Sequence, residues 1–156
     1  MVMALPWLVH YVTESEYRDH YKRIYSRGTI HAFDGIRIYF QSRRFEHAFY
    51  EGQGKNRFSP IRAQRIDWIK ATLEHPAADL YQGWDKKNKV YVSHRRVSVV
   101  YEDFVVVVEL GLKSGSNLKG NFITCYQAEN SINKIRTSPI WNRNICTAML
   151  KGRNGR

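Results

Sequence analysis

Asn121-Phe-Ile-Thr-Cys-Tyr126 closes a run of strand-like segments, and its reading decides how the whole chain is understood. Phe122, Thr124 and Tyr126 share one side of a two-residue repeat, while Ile123 and Cys125 share the other. The plain structural meaning is a half-buried strand. The chemical meaning is a hydroxyl and a phenol in line on a protein with a net charge of +11.

Upstream, Val97–Tyr101 and Phe104–Leu110 read either as two strands or as one bent strand. A loop carrying Gly111, Ser114, Gly115, Ser116 and Asn117 then leads to the final strand at 121–126. Leu80–Trp84 and Lys89–Ser93 form an expected hairpin around Lys86-Lys-Asn88. Before residue 79 the period is helical. Thr13-Glu-Ser-Glu16 is a capping box, Tyr17, Tyr21, Ile24 and Tyr25 follow at helical spacing, and Gly28 terminates a helix over about 14–26. Asp34-Gly35 between Thr29–Phe33 and Ile36–Phe40 signals a two-residue hairpin. Ser42 caps a short helix through Tyr50 that turns Phe45, Ala48 and Phe49 inward. Ser59-Pro60 opens a helix that buries Ile66, Ile69 and Leu73 and stops before Pro76. Ser131–Arg136 is a short helix or turn.

Helices first and strands second predict an α+β domain. The N-terminal helices pack on one face of an antiparallel meander sheet of about four strands. Residues 1–141 form the single domain, and 142–156 are expected to be a basic, flexible tail.

At 156 residues and 43% hydrophobic content the chain can bury one core. The longest apolar run, Phe104–Leu110, is broken by Glu109 and is too short to span a bilayer. No basic leader or cleavage site accompanies residues 1–12, so a cytoplasmic protein without membrane partners is expected. Cys125 and Cys146 form neither a metal pattern nor a disulfide framework and read as reduced thiols, although a single bridge fits the sequence too.

The charge is uneven. Residues 111–156 hold Lys113, Lys119, Lys134, Arg136, Arg143, Lys151, Arg153 and Arg156 against the lone acid Glu129. A polyanionic partner explains that distribution directly, and nucleic acid is the expected one. Clustered carboxylates for magnesium, zinc-spaced His and Cys, a phosphate-binding glycine loop and a Gly-x-Ser-x-Gly elbow are all missing from the sequence. No metal or cofactor is therefore expected. Metal-free cleavage of RNA remains chemically accessible, because RNA carries its own nucleophile in the 2′-hydroxyl. The protein needs only to move protons, align the strand and balance phosphorane charge.

Among six histidines, His47 lies off the apolar face of the short helix and is the first choice for proton transfer. His31 lies in a hairpin with either face open to it, His75 complements a helix C-terminus, and His94 abuts Arg95-Arg96, which lowers its pKa. His10 and His20 read as incidental. Arg95 and Arg96, as strand neighbours, face opposite ways. Arg65 projects from the Ser59 helix near Arg62, Lys86 and Lys87 sit at a hairpin tip, and Tyr126 is a stacking platform or proton relay.

Phe58-Ser-Pro-Ile-Arg-Ala-Gln-Arg-Ile-Asp-Trp-Ile69, Leu80-Tyr-Gln-Gly-Trp-Asp85, Tyr101-Glu-Asp-Phe-Val-Val-Val-Val108 and Phe122-Ile-Thr-Cys-Tyr126 together resemble the barnase–EndoU–colicin E5/D–RelE-like nuclease superfamily, in its phage and prophage branch. The resemblance covers about residues 40–136. It implies an α+β fold, metal-independent RNA cleavage and a role as a toxin or phage effector. It also implies a site built from a helix histidine, a sheet Arg or Lys, and a Ser, Thr or Tyr on the last strand. The matching positions are His47, Arg95, and Thr124 with Tyr126.

The expected function is RNA endonuclease action on tRNA or mRNA through a 2′,3′-cyclic phosphate. His47 moves protons, Arg65 and Arg95 hold the phosphorane, Thr124 and Tyr126 orient the phosphate or base, and Lys86, Lys87, Arg96 and Lys119 bind the backbone. An acidic antitoxin or immunity protein is the expected protein partner. The alternatives are a non-catalytic nucleic-acid-binding module and a phage-encoded protein-interaction domain.

Overall fold

The computed structural model describes residues 4–154. The capping box forms as read. Thr13 Oγ1 accepts the Glu16 N–H at 3.3 Å and Glu16 Oε1 accepts the Thr13 N–H at 3.0 Å, starting α1 (Glu14–Tyr21). A π-helical turn, Lys22–Ser26, continues it. β1 (Ile30–His31) and β2 (Arg37–Tyr39) pair antiparallel. His31 faces Arg37 and the Ala32 N–H donates to Ile36 O, so the loop is three residues, 33–35, and not the expected two, with Gly35 at φ 90°. α2 (Arg44–Phe49) buries Phe45, Ala48 and Phe49. Ser42 does not cap it: Arg43 holds the N-cap position without a side-chain bond.

β3 (Tyr50–Glu51) and β4 (Arg57–Phe58) pair around a 3₁₀ turn at Gln53–Lys55. Ser59 Oγ accepts the Arg62 N–H at 3.2 Å and opens α3 (Pro60–Ala63). The single helix expected here is broken at Arg65 (φ −93°, ψ 17°), after which α4 (Ile66–Glu74) carries Ile66, Ile69 and Leu73 into the core. The break coincides with tighter three-residue bonds, Arg65 N–H to Arg62 O and Trp68 N–H to Arg65 O.

The remaining elements are β5 (Asp79–Tyr81), β6 (Gly83–Asp85), β7 (Val90–Val92), β8 (Val97–Tyr101), β9 (Phe104–Ser114), β10 (Asn117–Gln127), α5 (Ile132–Ile135) and α6 (Arg143–Asn154). The main sheet has six strands in the order β1-β2-β10-β9-β8-β5, more than the four expected. It is not a pure meander, because β2 joins β10 in parallel, with Ile38 opposite Gly120. The glycine-rich stretch expected as a loop is mostly strand. β9 and β10 run on to a tight turn at Gly115 (φ 53°), and that length gives β10 a free edge for β2. The hairpin of the lysine pair is the separate β6–β7 ladder, since β5 pairs with β8 instead.

One face of the sheet packs against the helices through Val97, Val99, Val106, Val108, Leu110 and Phe122. The other carries a smaller cluster of Tyr81, Val100, Val105, Val107 and Ala128, covered by Ile132 and Ile135 of α5. The expected alternation of 122–126 is interrupted. Phe122 pairs with Val108, but Thr124 pairs with Val107, so the strand carries a bulge at Ile123. Phe122 and Cys125 therefore both enter the helix-side core, while Ile123 and Tyr126 lie against the other cluster.

The segment expected as a flexible tail forms α6 instead. Cys146 and Leu150 are buried in the main core, and Trp141 Nε1 donates to Ser93 O at 2.8 Å. The apolar positions 146, 149 and 150 provide a helical stripe that the basic composition obscures. Residues 155–156 of the expected tail lie outside the described residues. No helix among the described residues is long and apolar enough to cross a membrane.

Candidate catalytic cleft and nucleic-acid interface

α2, α3 and β10 meet at one junction, and side chains clasp it. Arg62 Nε donates to Ala48 O at 3.0 Å and Arg62 Nη2 to Cys125 O at 3.1 Å, tying α3 to both neighbours. Thr124 Oγ1 donates to His47 O at 2.9 Å, a second tie between β10 and α2. A cleft of about 200 Å³ opens beside these bonds, lined in part by Ala48, Arg62, Arg65, Tyr126 and Glu129. His47, next to Ala48, is exposed on α2. Of the expected catalytic residues, Arg65 and Tyr126 line the cleft. Thr124 and His47 meet beside it through the His47 carbonyl, and the exposed His47 side chain is not part of the lining. The Thr124 hydroxyl is already committed to that carbonyl, which makes it a positioning group rather than a phosphate ligand.

The electrostatics of the junction are cationic. Arg65 lies over the Trp68 ring at 5.1 Å, and its Nε is buried without a hydrogen-bond partner. Lys55 stands close enough to feel Arg62: partial burial and then the Arg62 charge lower its pKa below the usual lysine value. Its main chain is in the left-handed region (φ 52°), between Gly52 and Arg57. Arg62 and Lys55 are the two groups that sequence reasoning missed. A glycine on each side of Gln53, just before Lys55, was the available signal for a strained loop. Cys125 is fully buried and burial pushes its thiol up to about 12, so it is no nucleophile. Burial likewise raises the Tyr126 phenol, against an opposing effect of Arg96.

Tyr126 also faces a second, larger groove of about 480 Å³ on the sheet face that α5 covers. Trp84 and Tyr91 stand edge to face at its lip, ring centroids 5.0 Å apart, both substantially exposed. Lys86, Arg96 and Lys134 supply its charge and Ser98 part of its floor. A Cβ on Gly83 would lie 2.0 Å from Arg95 O, so only glycine lets the β6–β7 hairpin fold so close over the turn at 95–96. That turn corrects the sequence reading. Arg95 and Arg96 are not strand neighbours; they lie between β7 and β8, with Arg96 at φ 53°, and both line a further cleft with Lys86 and Lys87. Arg95 therefore belongs with the hairpin lysines and not with the cleft of Arg65. Lys119 is elsewhere again, paired in register with Arg37 on the β2 side of the sheet.

Three of the other histidines have structural partners. His20, read as incidental, is buried between Tyr11 Oη (2.9 Å) and Asp67 Oδ1 (2.7 Å), joining the N-terminal segment, α1 and α4. His75 ends α4, takes the Ala77 N–H on Nδ1 and stacks on Tyr101 at 3.8 Å. His94 accepts from Arg153 Nη1 at 2.6 Å; burial, then Arg153 and Arg95, hold its pKa below the ordinary histidine value. Among the described residues no group of three or more His, Cys, Asp or Glu is arranged to hold a metal ion.

Comparison with protein-family models, with curated proteins and with solved structures finds no match, so the reading of this site rests on its own geometry.

Proposed function

We propose that the chain is an RNA endonuclease that cleaves at the α2–α3–β10 junction and holds its substrate in the adjoining aromatic groove. The observation that carries this reading is Tyr126, which lines both the arginine cleft and the groove of Trp84, Tyr91, Lys86 and Arg96. A strand stacked on Trp84 and Tyr91 has a direct path past Tyr126 to Arg65. Each stacked base contributes about 1–3 kcal/mol and requires no particular sequence.

In the cleft the 2′-oxygen attacks phosphorus and the 5′-oxygen leaves. His47 accepts the 2′-hydroxyl proton, and Lys55, with its lowered pKa, returns a proton to the leaving oxygen. Arg65 and the remaining Nη1 of Arg62 balance the charge on the non-bridging oxygens. Lys86, Lys87, Arg95 and Arg96 bind the backbone on the hairpin side. A toxin role with an acidic antitoxin covering this basic face accords with the same charge distribution.

Incubation of the protein with labelled tRNA and mRNA in excess EDTA tests the proposal. Fragments ending in cyclic phosphate, reduced at least 100-fold in His47→Ala and Arg65→Gln, are expected. Intact RNA with a salt-dependent gel shift would replace cleavage by the second reading, a binding module, which the exposed Trp84–Tyr91 pair favours in its own right.

A further inference from the structure

A cleft of about 400 Å³ lies at the other end of β10, where β2, β9, β10 and the π-helical turn meet. Arg37, Lys113 and Lys119 line it together with Ser26, Tyr39 and Asn121. No carboxylate is among its lining residues, and none of these cations takes part in an ion pair among the described residues. Three cationic side chains thus line one cleft with no carboxylate among its walls.

Two buried polar atoms in the same cleft are also without hydrogen-bond partners, Arg37 Nε and Ser26 Oγ. Buried donors in that state are uncommon, because each forfeits its hydration with nothing in return. The Arg37 guanidinium is held in place meanwhile. It lies over the Tyr39 ring at 4.7 Å, and its Nη2 makes only a long contact, 3.4 Å, to Gly28 O. A preset guanidinium edge and a hydroxyl, with two lysines beside them, match the donors that a phosphate oxygen array requires. The cleft volume lies within the usual range of small-ligand sites and exceeds what an inorganic ion fills. Tyr39, 36% exposed, offers a ring edge, and the Asn121 side chain can both donate to and accept from a base.

We infer that this cleft is a nucleotide-binding site, in which Arg37, Lys113, Lys119 and Ser26 take the phosphate and Tyr39 and Asn121 meet the base. It is separate from the proposed cleavage cleft and stands whether or not the protein cuts RNA. The phosphate belongs either to a free nucleotide or to a nucleotide of an RNA strand.

Calorimetric titration of the full chain with 5′-AMP, adenosine and inorganic phosphate tests the assignment. AMP is expected to bind at least 10-fold more tightly than either of the others. Arg37→Gln and Lys119→Gln are each expected to weaken AMP at least 10-fold while the amide NMR spectrum stays folded. Two substitutions are used so that a failure of one to fold leaves the other informative. Equal affinity for AMP and adenosine, equal affinity for AMP and phosphate, or unchanged AMP affinity in a folded variant would each overturn the site. Competition with a single-stranded RNA lacking terminal phosphates then names the source. Displacement of AMP assigns the site to a strand, and retention assigns it to a free nucleotide; both uphold it.

Discussion

Arg62→Met removes the clasp at the proposed catalytic junction while keeping an unbranched side chain of similar length. The wild-type guanidinium donates to two main-chain carbonyls, Ala48 O and Cys125 O, at 3.0 and 3.1 Å. Bonds from a charged donor are worth about 1.5–3 kcal/mol each when buried, and the partial exposure here places the pair near about 2–4 kcal/mol in total. In a domain of this size 1 kcal/mol moves the melting temperature by about 2–4 °C, so a fall of roughly 5–15 °C is expected by calorimetry or circular dichroism. The same substitution deletes the charge that, after burial, lowers the Lys55 pKa, so that pKa should move up towards its ordinary value in side-chain ¹⁵N NMR. Arg62→Lys separates the effects, because a lysine keeps the charge but cannot fork between two carbonyls. It should melt nearly as low as Arg62→Met while leaving Lys55 titrating near its wild-type value. A melting temperature within about 2 °C of wild type for Arg62→Met would refute the clasp, since water would then serve those carbonyls equally well.

Leu150→Ala should lower stability by about 2–3 kcal/mol in urea denaturation, because the side chain is packed in the main core; a loose tail would give no change. Gly83→Ala should shift the β6–β7 hairpin away from Arg95 O and weaken RNA binding at least 5-fold by fluorescence anisotropy, with little effect on the fold of the main sheet. Lowered in the folded state, the His94 pKa lies beneath its unfolded value, so the unfolded chain takes up the proton first. Stability from this group is fully present above the ordinary histidine pKa and declines as pH falls through it towards the folded value. The drop in melting temperature between pH 7.5 and pH 5.5 should accordingly be smaller in His94→Gln than in wild type.

Local signals were legible in the sequence and long-range ones were not. The Thr13 box and the Ser59-Pro60 start each depend on residues within a few positions and each forms. The Asp34-Gly35 signal gives a hairpin, though with a three-residue loop instead of two. The inward set Phe45, Ala48 and Phe49 was likewise readable from spacing alone, which leaves His47 exposed. The bulge in β10 was hidden, because a two-residue repeat contains no mark of where one residue is inserted against a partner strand. The parallel pairing of β2 with β10 was hidden for a similar reason: it joins residues 37–39 to 119–121, and no local pattern encodes that register. Arg65 was legible as a projecting cation for the phosphorane, whereas Arg62 beside it carried no assigned role. What marks out Arg62 is its pair of bonds to the carbonyls of two other elements, which a helical period does not contain.

The parallel pair also has a temporal consequence. β10 is an interior strand that receives β2 on one side and β9 on the other, and it follows every other described strand in the chain. Without β10, α4 still packs on β8 and β9, but the first hairpin has no strand to join. Cys125 O, which completes the Arg62 clasp, and Tyr126, which joins cleft to groove, arrive only with that closing strand. The cleft is therefore completed only when β10 has joined both neighbours, so its formation waits on the distant pairing of residues 37–39 with 119–121.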